Sequence, residues 1–360
     1  MADVPEQPLT RDWGGGRVTL GDLAERLGLA RATVSHVMAG RADELRIAKR
    51  TQERVLQAAR DMGYMPNVAA QAVARGRLAS VGLIMPPAGQ YLPLTLVTEA
   101  ARVLRAHGMR LSITELPDEQ LADSSFMSRV LHELSVDGLL MNVIEDVPEQ
   151  MATLISANHI PSIWLNVKRP IDCVRPDDLA AGRAATERLL LAGHRRIAYV
   201  EFADEDHYSV VDRRDGYAQA MASAGLPARV VTFARRHLLH LRPDADTRLA
   251  QSCHLLRDAD RPTAVVCYEN VAAEPILLAA ATLGLSVPQD LSLIAFHERL
   301  VNGSGQAVTT FVVPMYHVGA RAADLLLRKL ADPSRSFDPV IVPFDVLEGI
   351  SIAAPTTRSP

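Results

Sequence analysis

Between Val18 and Met62 the apolar positions recur at helical spacing. Leu20, Leu23, Ala24 and Leu27 make one stripe, with Thr19 ahead of it and Gly28 at its end. Thr19 followed three residues later by Asp22 is a shortened capping box, so the pattern predicts a helix that begins after Thr19 and stops at Gly28. A short turn then leads into "RATVSHVMAG", residues 31 to 40. Here Val34 and Val37 face one way, while Arg31, Ala32 and His36 share a face turned away from them. Val55, Ala59 and Met62 make a third stripe, which predicts a helix over 49–62 with Gly63 just past its end. Two short helices so closely spaced have the spacing of a helix-turn-helix. The second of them, with a short polar face outward, is built to read a surface.

Beyond Pro66 and Asn67, a stop and a favoured cap, "VAAQAVA" is a further helical stretch, too short to hold in water by itself. From Ser80 onward apolar β-rich runs alternate with helical ones: "SVGLIM", "MRLSIT", "VDGLLMNV", "IPSIWLNV", "RRIAYVEF", "TAVVCY", "LSLIAF". Near-continuous hydrophobic strands separated by helices imply parallel sheets covered on both faces. The stretch is long enough for two doubly wound lobes of ordinary domain size. Ligands of such sheets lie beyond the carboxyl ends of the strands, which in a two-lobed body is the cleft between lobes. The expected fold class is therefore an all-α head followed by an α/β two-lobed body. Its divisions are a tail over 1–16, a helix-turn-helix unit over 17–64, a hinge helix and linker over 65–79, and the two-lobed part over 80–360.

Charge sharpens this picture. The net charge of −4 is unevenly spread: residues 17 to 77 carry eleven basic and six acidic side chains, and residues 78 to 360 hold −7. A basic head on an acidic body invites a polyanion at one end only. The first residues are acidic and rich in Pro and Gly rather than basic and then apolar, and no run of eighteen apolar residues occurs. A cytoplasmic protein without a membrane partner is expected. Cys173, Cys253 and Cys267 form no C-x-x-C pair, which fits a reducing compartment and speaks against a zinc or redox site. "HELSV" and "HERLV" lack the second His of H-E-x-x-H, "HLLH" has no third ligand beside it, and neither a nucleophile elbow nor a phosphate loop is present. No enzymatic activity, cofactor or metal is expected.

"VTLGDLAERLGLARATVSHVMAG" and "TQERVLQAARDMGYMPNVAAQAVARGRLASVGLIMP" resemble the DNA-binding head of the lac repressor (LacI) family of bacterial transcription regulators. The resemblance continues through "DDLAAGRAATERLLLAGHRRIAYV", "RRDGY", "RPTAVVCYEN" and "GLSVPQDLSLIAFHE", and so covers nearly the whole chain from Val18. It implies a body like that of periplasmic binding proteins. It also implies that the second helix enters the major groove, with Arg31, Ala32 and His36 toward base edges, Thr33 and Ser35 near phosphates, and Thr19 among the DNA-binding residues. His36 stands where the family usually has Arg, which would make two parallel bonds to guanine; the preference at that base should therefore differ. Ala30 replaces a common capping Ser, and the loop "GRADELRI" is longer than usual. In the family the hinge folds on DNA and wedges the minor groove. Asn67, Ala70, Gln71 and Val73 are its expected contacts here, Val73 being a smaller wedge than the usual Leu.

For the effector the residues just after strand ends are Asn166, Glu269, Asn270 and His297, with Arg213 at the start of a helix in "RRDGY". These correspond to the family's sugar-binding positions, but only Arg213 keeps the usual identity. Trp164 and Tyr268 offer a flat surface on which a ring could stack. Arg213 and His297 can donate to an anion while Asn166 and Glu269 hold hydroxyls, so a sugar acid or a sugar is the expected effector. The resemblance implies a homodimer on a pseudo-palindromic operator, acting as a repressor. The alternatives are a regulator activated by its ligand and a solute-binding protein with no DNA function.

Overall fold

The computed structural model describes residues 18–65, 78–85, 93–116, 135–142, 149–202, 207–233, 243–298 and 308–356. Two compact units make up the chain, residues 1–78 and 79–360.

The first unit holds α1 (Leu20–Leu27), α2 (Arg31–Met38) and α3 (Lys49–Asp61). The shortened capping box forms: the Thr19 hydroxyl accepts the Asp22 N–H at 3.3 Å, and the Asp22 carboxylate accepts the Thr19 N–H at 2.7 Å. Gly28 ends α1 at φ +64°, a left-handed conformation that a side chain would strain. Ala30 gives α2 no side-chain cap, as its lack of a polar atom requires. Packing holds that helix instead. Val34 and Val37 meet Leu23, Ala24, Val55, Ala58 and Ala59 in one core, with Leu20, Leu27 and Met62 at its margin. Ala42 joins this core from the long loop after α2. The loop is folded rather than loose, because Asp43 accepts hydrogen bonds from Lys49 Nζ at 3.0 Å and Gln52 Nε2 at 2.9 Å. Those bonds, the Gln52 one first, hold the Asp43 carboxyl below its usual range.

The second unit contains two sheets. The first comprises β1 (Ser80–Met85), β2 (Arg110–Glu115), β3 (Gly138–Asn142), β4 (Ser162–Leu165), β5 (Cys173–Pro176) and β11 (Val340–Val342), in the order β11-β5-β4-β3-β1-β2, all parallel. The second comprises β6 (Ile197–Phe202), β7 (Arg229–Phe233), β8 (Ala264–Cys267), β9 (Ser292–His297), β10 (Thr309–Val312) and β12 (Asp345–Leu347), in the order β12-β10-β9-β8-β6-β7. Only β12 runs antiparallel to its neighbour. Among the described residues the helices are α4 (Leu94–Ala106), α5 (Glu149–Ala157), α6 (Asp178–Leu191), α7 (Tyr208–Ser223), α8 (Pro243–Arg257), α9 (Asn270–Thr282) and α10 (Met315–Ala331).

All seven apolar runs singled out by hydropathy become strands. Five others, β5, β7, β10, β11 and β12, have no such signature. Along β4 the side chains alternate: Ile163 and Leu165 join the core under α4 and α10, while Trp164 joins Ile84, Leu139, Met141 and Cys173 under α5. The chain passes between the sheets three times, from β5 to α6, from β10 to α10 and from β11 to β12, and each passage carries a proline: Pro176, Pro314 and Pro343. Proline fixes φ and has no N–H to satisfy, so it suits a short connection that must leave one sheet for another.

Two glycines set the second lobe's geometry. A Cβ on Gly182 of α6 would lie 2.2 Å from the Arg213 carbonyl oxygen, and one on Gly216 of α7 would lie 2.2 Å from that of Leu179. Backbone therefore touches backbone where α6 crosses α7, and the "AAGRAA" and "RRDGY" segments are read as the two halves of that crossing.

Candidate DNA-reading helix and effector cleft

In α2 the burial of Val34 and Val37 fixes what the rest of the helix can do. Arg31 and Ala32 at its first turn are exposed, whereas Thr33, Ser35 and His36 are half-buried. His36 lies less open than its helical position suggests. Its Nδ1 is out of solvent and has no hydrogen-bond partner, so only Nε2 is left to meet a partner outside the helix. Thr19 is bound to Asp22 as a cap. Elsewhere in the head, Arg26, Arg41, Arg46, Lys49, Arg50 and Arg54 are exposed, which leaves basic charge available to a polyanion. Asn67, Ala70, Gln71 and Val73 lie outside the described residues.

In the second unit, Arg213 corrects one expectation. It lies in the second turn of α7 rather than at its start, and it is 5% exposed. Its Nε donates to Asp178 Oδ1 at 2.7 Å and its Nη1 to the Tyr268 carbonyl at 2.9 Å. The guanidinium also lies 4.8 Å from the Tyr268 ring centroid and 4.7 Å from that of Phe296. Burial is the largest single influence and works against its charge, but the Asp178 carboxylate together with the Tyr268 and Tyr199 hydroxyls holds the guanidinium above its ordinary pKa. Nη2 makes no hydrogen bond among the described residues, so it is the part left for a ligand.

Asn166 follows β4 in the left-handed region at φ +54°. Its Oδ1 accepts the Tyr208 hydroxyl at 3.3 Å, and its carbonyl accepts from His207 Nε2 at 2.9 Å. Because Nε2 carries that proton and Nδ1 faces the Ser209 N–H at 3.4 Å, the arrangement suits a neutral imidazole. Burial pushes His207 below its ordinary pKa, although its bond to Asn166 works the other way. Lys168 donates to Asp212 at 2.6 Å, and Tyr208 is flanked by Lys168 at 5.6 Å and Arg175 at 5.8 Å from its ring centroid. The start of α7, in the second lobe, is thus tied to the segment after β4 in the first. Glu269 sits at the N-cap of α9, Asn270 is the first residue of that helix, and His297 ends β9 rather than following it; all three are half-buried.

The flat stacking surface does not form. Trp164 is 4% exposed and faces α5, because strand alternation sends it to the opposite side from Ile163 and Leu165. Tyr268 is buried, its hydroxyl bonded to Ser209 Oγ at 2.9 Å and its ring already covered by Arg213. Sequence reading missed Asp178, His207, Tyr208, Ser209 and Lys168. The polar and aromatic run "DHYSVVDRR" ahead of Gly216 was the available signal, but hydropathy does not say which of its members turn inward. Among the described residues no group of three His, Cys, Asp or Glu is placed to hold a metal, and no helix is long and apolar enough to cross a membrane. "HLLH" lies outside the described residues.

A helix-turn-helix head joined to a two-lobed α/β body defines a class: DNA-binding regulators with a built-in small-molecule domain. Comparison with known proteins agrees in both halves. Residues 19–67 match the model of bacterial regulatory proteins of the lacI family, and residues 186–352 match the periplasmic binding protein-like domain. The chain is 26% identical over 325 residues to catabolite control protein A of Priestia megaterium, covering 86% of this chain and 92% of that protein. It is 27% identical over 319 residues to the HTH-type transcriptional repressor CytR of Escherichia coli K12, covering 87% and 89%. Its fold is that of the lac repressor dimer bound to operator and the anti-inducer ONPF, with a TM-score of 0.78 at 20% identity over 94% of this chain and all of that one. The protein belongs to the LacI family: it is a non-enzymatic, DNA-binding transcriptional regulator with a periplasmic-binding-protein-like effector domain.

Proposed function

We propose that the protein is a repressor that binds a pseudo-palindromic operator as a homodimer and is controlled by a sugar or sugar acid held between its two lobes. The observation that carries the DNA half is the exposed Arg31–Ala32 start of α2, held on a packed three-helix core in a unit with many exposed basic side chains. In this reading Arg31, Ala32 and His36 face base edges, Thr19, Thr33 and Ser35 lie along phosphates, and Asn67, Ala70, Gln71 and Val73 serve the hinge. Similarity to CytR, itself named a repressor, supports the direction of control.

For the effector half, Asn166, Arg213, Glu269, Asn270 and His297 remain the contacts, with Tyr268 as support beneath Arg213 and Trp164 set aside. Asp178 already balances the Arg213 charge, which moves the preference from a sugar acid toward a neutral sugar whose hydroxyls meet Nη2. Ligand binding between the lobes would favour one closure angle and so bias operator affinity, with a coupling of about 1–3 kcal/mol. Binding-site selection followed by operator titration with sugars and sugar acids tests this. A symmetric site, released by one ligand class, is expected. Arg213→Lys keeps the charge and loses the planar fork, so it should blunt the ligand response while operator binding persists; an unchanged response would overturn the cleft assignment.

A further inference from the structure

A cavity of about 510 Å³ opens beside β4, bounded by α5, the turn over 169–172 and the segment at the end of α10. Of the residues assigned above to the effector, only Trp164 lines it. Its volume is ordinary for a small-molecule site, about 300–1,000 Å³.

Ser162 and Trp164 project into it from the same face of β4. Ser162 is 7% exposed, and its hydroxyl makes no hydrogen bond among the described residues. The hydroxyl itself stays open to the cavity, so it is free to bond with whatever fills that space. Arg169 lies with its guanidinium carbon 4.5 Å from the Trp164 ring centroid. It is half-buried and has neither an ion pair nor a side-chain hydrogen bond among the described residues. Stacking on the indole fixes the plane of the guanidinium and leaves its N–H fork pointing along that plane.

The other charges of the cavity cancel: Lys329 Nζ donates to Asp172, whose second oxygen accepts the Phe337 N–H at 3.0 Å. The net charge of these side chains is the single positive one of Arg169. Covering Trp164 from water explains the stack, and it leaves the guanidinium fork and the Ser162 hydroxyl beside it as donors open to the cavity. An oxyanion answers both, since two of its oxygens accept from a guanidinium fork and a hydroxyl completes its shell.

We propose that this cavity is a second ligand site, separate from the cleft between the lobes, and that it binds the carboxylate or phosphate group of a small metabolite through Arg169 and Ser162. The chain supplies its own reporter, because it has two tryptophans, Trp13 and Trp164. In the full-length Trp13→Phe protein all indole emission comes from Trp164, which lies directly under Arg169. Titration with sodium phosphate and, separately, sodium succinate should give a saturable change in that emission, over a sodium chloride series of matched ionic strength. Saturation by phosphate alone or by succinate alone names the source of the oxyanion, and saturation by both confirms the shared chemistry; each supports the site. Arg169→Gln in the same background should weaken the half-saturation point about tenfold or more, and Ser162→Ala by less. Arg213→Lys should leave it unchanged. If neither anion saturates beyond chloride, or if the Arg169→Gln curve overlays its parent, the site does not exist.

Discussion

Arg213 Nε lies 2.7 Å from Asp178 Oδ1, and the two side chains are 7% and 0% exposed. The pair spans α6 and α7 just where Gly182 and Gly216 let those helices touch, so the ion pair depends on the crossing and the crossing carries it. The second carboxylate oxygen of Asp178 is buried and meets no donor in good hydrogen-bond geometry among the described residues, which marks Asp178 as the costlier partner to leave alone.

Removing one member should therefore be worse than removing both. Asp178→Ala or Arg213→Ala alone is expected to destabilise the protein by about 3–5 kcal/mol, as an uncompensated buried charge does. The double replacement should cost clearly less than the sum. Urea unfolding of the three variants measures this, and strict additivity would show that the pair does not act as a unit.

The helix crossing gives a second expectation. Gly216→Ala would place a methyl 2.2 Å from the Leu179 carbonyl oxygen, and both atoms belong to helical backbone that has no rotamer to change. Overpacking of this kind costs about 1–3 kcal/mol or more. Differential calorimetry should show a lower transition temperature together with a weaker effector response, because moving α7 also moves Arg213. A variant as stable as the parent would mean the helices separate freely.

The acid side of the stability profile follows from two histidines. Burial lowers the pKa of His207, and likewise that of His194, whose ring nitrogens meet Thr263 Oγ1 and the Ala353 carbonyl, each at 2.9 Å. The folded protein keeps both neutral, while the unfolded chain takes up protons below about pH 6.5. Unfolded chains then bind more protons, so stability rises with pH through this window: it is complete above about 6.5 and falls as pH drops toward the folded values. The lowered carboxylates Asp22, Asp43 and Asp258 act only further down, below their ordinary value of 3.8. Chemical denaturation at a series of pH values from neutral to mildly acidic should show the loss, and His207→Gln should flatten it. A profile level from pH 7 to 5 would contradict the assignment.

How much of this was legible in the sequence differs by element, and the reason is physical. The three helices of the head declared themselves because each has one buried stripe and a terminal signal: Thr19 with Asp22 for one end, Gly28, Gly40 and Gly63 for others. The central strands β1, β3, β4, β6, β8 and β9 were equally plain, since burial on both faces demands a continuous apolar run; β5 and β10 also lie inside their sheets, but each is four residues long and carries Arg175 or the pair Thr309 and Thr310. β2, β7 and β12 escape that rule or test it, for they lie at sheet edges; "RVVTF" alternates in burial and "DVL" is too short to show any pattern. Candidate cleft positions were proposed from strand ends, and Asn166 and Glu269 do come after the ends of β4 and β8. Asp178, His207 and Tyr208 were not, because their roles arise from a glycine crossing and from contacts between lobes, neither of which has a period along the chain. Trp164 was misplaced for a simpler reason: aromatic character suggested stacking, whereas its parity on β4 decided its direction.

The DNA-reading helix supplies the last prediction. With Nδ1 of His36 shielded by the helix core, the imidazole can offer one hydrogen bond through Nε2, and a single bond separates guanine from the other bases less sharply than a fork does. His36→Arg extends past the shielded position and carries five donors, so it gains two parallel bonds to guanine O6 and N7. Selection of operator sites from a random library should then show one symmetric pair of positions shifted toward guanine, by about 1–3 kcal/mol in measured affinities, with the flanking positions unchanged. Salt offers the control. Arg41, Arg50 and the other exposed basic side chains of the head are expected to release counterions from phosphate on binding, so the dependence of log affinity on log salt should be steep for the parent and should change little in the variant, whose new contact is to a base. An identical selected motif for both proteins would remove His36 from the base-reading face. A uniform gain across all sequences with a steeper salt slope would assign the new arginine to phosphate instead.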